Sequence, residues 1–120
     1  MRGRLGELEA VVMDVLWSGD EPLRVRDVRL RLAPERPLAY TTVMTVLDNL
    51  HRKGWVRREL DGRAYLYRPA ASREEETARA LRDLLDTGGD TEAVLMHFAR
   101  SVSERESAVL RDALAGPDRG

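Results

Sequence analysis

The sequence predicts a mainly α chain with a small β wing, a winged helix-turn-helix followed by further helices. Three observations predict it. Three helix-spaced apolar patterns occupy residues 5–53, two short strand-like segments follow at 55–60 and 64–69, and the charge reverses after Pro69. Residues 1–69 hold 13 basic and 10 acidic side chains, whereas residues 70–120 hold 7 and 11. The expected organisation is a winged-helix domain over residues 1–70 and a helical region over 71–120.

The first helix is expected in "LGELEAVVMDVLWSG", where Leu5, Leu8, Val12, Val15 and Leu16 recur at helical spacing beside Trp17. Ser18-Gly19-Asp20 ends it. "EPLRVRDVRLRLA" reads as a second helix over 22–32. Its stripe is Val25, Val28 and Leu32, and arginines fill the solvated side. Pro34 and Pro37 break the chain before the third helix, residues 39–53. There Val43, Val46, Leu47 and Leu50 fall at i, i+3, i+4 and i+7, one apolar face.

Gly54 stops that helix. An Asp-Gly pair (Asp61-Gly62) before Arg63, between two alternating segments, signals a hairpin. Beyond Pro69, acidic residues open a helix over 72–85, where the helix dipole favours negative charge. Two more helices are expected at 91–101 and 104–115. Ser103 and Glu106 have the spacing of a capping box at the last, and residues 116–120 read as a frayed end.

The chain has no cysteine, which excludes disulfides, thiolate catalysis and Cys-based metal sites. It has no Gly-rich phosphate loop and no nucleophile–base pair at catalytic spacing, so an enzyme is not expected and neither is a cofactor. His51 and His97 lack the company that a metal site needs. No apolar run approaches the ~20 residues of a membrane span. The N-terminal "MRGRLGELEA" has no signal-peptide core. A cytoplasmic location without membrane insertion is the expectation.

The third helix carries the functional signal. β-branched residues are poor helix formers, yet Thr41, Thr42 and Thr45 crowd its start. The direction opposite the apolar face holds Thr41, Thr45, Asp48 and Arg52, with Thr42, Met44 and Asn49 on the flanks. Small hydroxyl- and methyl-bearing side chains let a helix approach base edges in a major groove. Arg52, Lys53, Arg57 and Arg58 would meet phosphates as the chain leaves the groove, and Arg63 would do so from the wing tip. Blander readings stand beside these. Thr41 or Thr42 could be a helix cap, whereas Thr45 lies too deep for that. Asp48 repels phosphate and reads as solvated or paired with Arg52 at i+4, with cytosine recognition as the alternative. Of Tyr65 and Tyr67, which share a strand face, at least one is expected in the core.

The segments "LGELEAVVMDVLW" and "AYTTVMTVLDNLHRKGWVRRELDGRAYLYRP", with the spacing between them, resemble the penicillinase-repressor family of bacterial winged-helix repressors over about residues 5–115. That family includes the methicillin-resistance and copper-responsive repressors. The resemblance implies a transcriptional repressor that binds a palindromic operator with a TACA/TGTA-type core as a homodimer, and it puts Thr41, Thr42, Met44 and Thr45 toward the groove. It also implies control of β-lactam-responsive genes through a membrane sensor-protease system that acts indirectly.

The C-terminal helices are those that clasp the partner in the family. Leu81, Leu84, Leu85, Val94, Leu95, Phe98, Leu110 and Leu114 are more apolar surface than three short helices bury among themselves, which favours a partner copy. Two departures stand out. The Cys-rich copper motif is absent. The Asn–Phe bond cleaved in penicillinase repressors is matched by His97-Phe98, which keeps the Phe and not the Asn. The competing class is a winged-helix module that binds protein instead of DNA. Arg57, Arg58 and Arg63 beside Lys53 weigh against it.

Overall fold

A computed structural model describes residues 4–116, so the expected fraying of residues 117–120 lies outside the described residues. The elements are α1 (Glu7–Ser18), α2 (Val25–Leu32), α3 (Tyr40–Arg52), β1 (Val56–Asp61), β2 (Ala64–Pro69), α4 (Arg73–Thr87), α5 (Thr91–Ala99) and α6 (Glu104–Leu114). The chain forms two compact units that divide after Thr77.

The N-terminal unit is a winged helix. Val25, Val28 and Leu32 of α2 and Val43, Val46, Leu47 and Leu50 of α3 are all buried, as their spacing predicts. In α1 the buried line runs through Val12, Met13 and Leu16, while Leu8 and Val15 sit half-buried at its edge. Val56 and Tyr67 close the core from the wing. Each large apolar side chain moved from water into this cluster contributes about 1.5–3 kcal/mol, which outweighs the poor helix propensity of α3's threonines.

Two local expectations are corrected. The second helix begins at Val25 and not at residue 22. Pro22 fixes its own backbone, and the Arg24 N–H donates to Asp27 Oδ2 at 3.1 Å, which caps the helix there. Leu23 is thereby released to bridge Tyr67, with N–H···O bonds of 2.9 and 2.8 Å in both directions. It acts as a one-residue third strand beside the wing. The hairpin itself pairs Asp61 with Ala64, so the loop is the two residues Gly62-Arg63 and not the three residues Asp61-Gly62-Arg63. Gly62 carries the positive φ (69°), a conformation that glycine adopts without steric cost.

The segment after the wing is tied to α1. Trp17 Nε1 donates to Ala71 O at 3.0 Å, the Trp17 and Trp55 rings meet edge to face at 6.4 Å, and Arg73 pairs with Asp14 at 3.0 Å. The first turn of α4 therefore belongs with the winged helix.

In the C-terminal unit, Asp90 caps α5 by accepting from the Ala93 N–H at 3.2 Å. The predicted box at α6 is formed: Ser103 Oγ accepts from the Glu106 N–H at 3.1 Å, and Glu106 Oε1 from the Ser103 N–H at 2.8 Å. No residue of α5 or α6 is buried.

Candidate nucleic-acid interface

The outward side of α3 is held in place by the core behind it, so its composition is not needed for packing. Thr41 and Thr45 are exposed and Thr42 is half-buried. The cap reading for Thr41 and Thr42 fails. The helix begins at Tyr40, with Ala39 as its N-cap and no side-chain cap bond. All three threonine hydroxyls lie without a side-chain hydrogen bond among the described residues, available to an outside partner. Met44, an apolar residue at 39% exposure, stands on the flank beside Tyr40 at 47%. The sequence places Tyr40 within the third helix but carries no signal that sets it apart as a surface residue.

Charged groups on and near this face fall into two sets. Some are committed to protein partners. Asp48 does not pair with Arg52. Its Oδ1 accepts instead from Arg58 Nη1 of β1 at 2.8 Å, and that guanidinium lies 4.1 Å from the centre of the Tyr65 ring. The Tyr67 hydroxyl and Asp48 favour the charged guanidinium more than partial burial opposes it, so the pKa of Arg58 lies above its ordinary value. Arg52 donates to Asn49 Oδ1, one turn back on the same helix.

Lys53 turns away from the outer face altogether. Its ammonium contacts Glu9 Oε1 at 2.8 Å and Arg4 O at 3.1 Å. The chain's one lysine therefore ties the end of α3 to α1, and its expected phosphate role competes with that tie. Helix geometry alone could not show this, because the partner lies 44 residues away.

The second set is unpaired. Arg57 on β1 and Arg63 in the hairpin loop are exposed, with no acidic partner among the described residues, as is Arg26 on α2. The wing that carries Arg63 is braced at both edges, by Arg58–Asp48 to α3 and by Arg24–Asp61 to the start of α2. Between helix and wing runs an open groove of about 650 Å³ whose lining includes Arg24, Arg26, Met44, Asp48, Arg63 and Tyr65. Tyr65 faces this groove, whereas Tyr67 is buried at 1% exposure. The arrangement offers hydroxyls and methyls to base edges from a helix, and guanidinium groups to phosphates from the hairpin that follows it.

Of the residues expected to meet a partner copy, Leu81, Leu84, Leu95, Phe98, Leu110 and Leu114 are exposed, and Leu85 and Val94 are half-buried. Met96 and Val109 are also exposed and extend the apolar surface of the same unit. His97 and Phe98 lie in the last turn of α5 and line an open, largely apolar hollow with Val94 and Asp90. Among the described residues there is no group of three or more His, Cys, Asp or Glu able to hold a metal ion, and no helix is long and apolar enough to cross a membrane.

The family profile described as penicillinase repressor matches residues 5–116. The transcriptional regulator BlaI of Mycobacterium tuberculosis is 45% identical over 120 residues, covering 98% of this chain and 87% of that protein. Among solved structures, the DNA-binding domain of the repressor BlaI superposes with a TM-score of 0.54 at 23% identity, over 62% of this chain and 93% of that one. The monomeric form of Bacillus licheniformis BlaI, in complex with the blaP half-operator, gives a TM-score of 0.52 at 23% identity, over 62% and 90%. At that identity the two structural likenesses concern the winged-helix fold.

Proposed function

Because the chain belongs to the penicillinase repressor family, we propose that this DNA-binding transcriptional repressor acts as a homodimer, with one α3 helix in each half of a palindromic operator. It is a regulator and not an enzyme: the relative it matches over nearly its whole length is a transcriptional regulator. The observation that carries the reading is the outward face of α3. Three threonines with uncommitted hydroxyls stand there beside a braced hairpin whose loop presents Arg63.

In the proposed complex, Thr41, Thr42, Met44 and Thr45 meet base edges, and Arg57 and Arg63 meet phosphates. Asn49 and Arg52, bonded to each other, approach the backbone as a unit. Lys53 contributes its charge at short range while holding Glu9. The exposed leucines of α4, α5 and α6, with Phe98, pack against the same residues of a second copy. A two-fold pair of reading helices fits half-sites centred ~34 Å apart. A core of the TACA/TGTA type, and control of β-lactam-responsive genes, are the proposed specifics.

Gel shifts against the DNA upstream of the protein's own coding sequence test the reading, together with sedimentation of the free protein. A dimer that shifts this DNA, with strong dependence on salt, is the expected result. A protein that binds no duplex more tightly than random sequence would overturn it. Release by a sensor-protease system predicts a cut at His97-Phe98 in cells exposed to β-lactam, and an intact chain during derepression assigns release to another signal.

A further inference from the structure

The outward stripe of α3 carries one anion, and an anion is the group least expected in a phosphate-lined groove. Asp48 shares that stripe with Thr41, Thr45 and Arg52. An isolated carboxylate there would meet Coulomb repulsion from the DNA backbone. The fold offsets this by a specific device. Arg58 reaches from β1 to hold Asp48 Oδ1 at 2.8 Å, and is itself held by stacking over Tyr65 at 4.1 Å. The Arg58 side chain is 24% exposed and that of Asp48 is 54% exposed. Arg58 is the more buried partner and Asp48 the more exposed one. Oδ1 is occupied, while Oδ2 makes no hydrogen bond among the described residues.

Position adds to this. Asp48 lines a shallow depression with Thr45, Asn49 and Arg52 on one side, and the groove toward Met44 and Arg63 on the other. It therefore stands where the reading helix and the wing converge.

We infer that Asp48 is a base-reading residue that accepts a hydrogen bond on Oδ2 from the N4 amino group of a cytosine, with Arg58 as the positioning residue that orients and neutralises it. This rests on the DNA-binding reading above. A carboxylate accepts and does not donate. In the major groove, cytosine presents the N4 donor, whereas guanine O6 and thymine O4 are acceptors that would face the carboxylate unmatched. Adenine presents a donor, but with the N7 acceptor beside it. Asp48 thus rewards one base and penalises the others, the repulsive half of specificity.

The test is selection of preferred sites from randomised duplexes by the full-length protein, carried out for the wild type, Asp48→Ala, Asp48→Asn and Arg58→Lys. Thermal unfolding of each checks that the fold is kept. The wild type should select sites with a C·G pair fixed at one position in each half-site, preferred by about tenfold. Asp48→Ala should lose that preference and keep the rest of the site. Asp48→Asn, which can both donate and accept, should shift it toward adenine. Arg58→Lys keeps the charge and should retain the cytosine preference in weakened form. Identical selected sites for the wild type and Asp48→Ala would overturn the inference. So would a uniform rise in affinity for all duplexes, which would make Asp48 a charge brake only. If the wild type selects no site at all, the DNA-binding reading itself fails, which the first two outcomes leave standing.

Discussion

Lys53, at the C-terminal end of α3, holds Glu9 of α1 with Nζ 2.8 Å from Oε1. Glu9 is 8% exposed, and burial alone would raise its pKa. The Gly6 N–H at 2.7 Å and the Lys53 ammonium outweigh burial and hold the carboxyl below its ordinary 4.5. The pair fastens the C-terminal end of α3 to α1. Glu9→Gln is expected to cost about 1–2 kcal/mol at neutral pH. The sign of the pH dependence follows from the lowered pKa. The contribution of Glu9 is fully present above the unfolded value and is lost as pH falls below 4.5 through the folded value. Urea denaturation of the two proteins should show a gap at pH 7 that narrows in acid. A gap independent of pH would mean that Glu9 acts through packing.

Arg63 tests the wing. It is exposed, sits in a two-residue loop, and contributes nothing to the core, so Arg63→Ala should leave the unfolding temperature unchanged. Each phosphate contact removed lowers the magnitude of the slope of log K against log salt by about 0.9. The expected loss in the variant is therefore about one per protomer, measured by anisotropy titrations at several salt concentrations. An unchanged slope would place the wing off the DNA.

Thr45 tests the helix. Thr45→Val keeps the volume and the methyl group and replaces the hydroxyl, which the structure leaves uncommitted, with a second methyl. Because the residue is exposed, stability should change little. Affinity for a preferred duplex should fall by about five- to tenfold relative to random-sequence DNA. Equal losses on both duplexes would show that Thr45 does not read sequence.

The fold was legible where one physical signal acted alone. The stripes of α2 and α3 are buried residue for residue because periodicity decides which side meets the core. The capping box at Ser103 and Glu106 needs only residues three apart, and it formed. What the sequence hid were relationships between distant segments. Nothing local distinguishes Arg58 as the partner of Asp48 from Arg52, which has the better spacing on paper. The bridge from Leu23 to Tyr67, and the inward turn of Lys53, likewise exist only once three helices and a hairpin have converged. In the candidate interface the face of α3 was therefore legible, whereas its electrostatics required the fold.

The C-terminal unit permits a clean separation of assembly from folding. Leu84 is 67% exposed and Leu114 is 84% exposed in the single chain, so replacing them removes almost no burial within it. A chain that leaves these residues in water, with Leu81, Phe98 and Val109 exposed in the same unit, gains by burying them against a copy. Leu84→Asp with Leu114→Asp should place carboxylates among apolar side chains in the expected interface, where their desolvation opposes assembly. The double variant is expected to sediment as a monomer while keeping its helical signal. Binding to a single half-site should be unaffected, since the winged helix carries none of the changes. Binding to a full palindrome should weaken at least a hundredfold, because the second half-site contact ceases to be intramolecular. A variant that remains dimeric would move the interface elsewhere. A monomer that still holds the full palindrome as tightly would show that the protomers assemble on DNA without these helices.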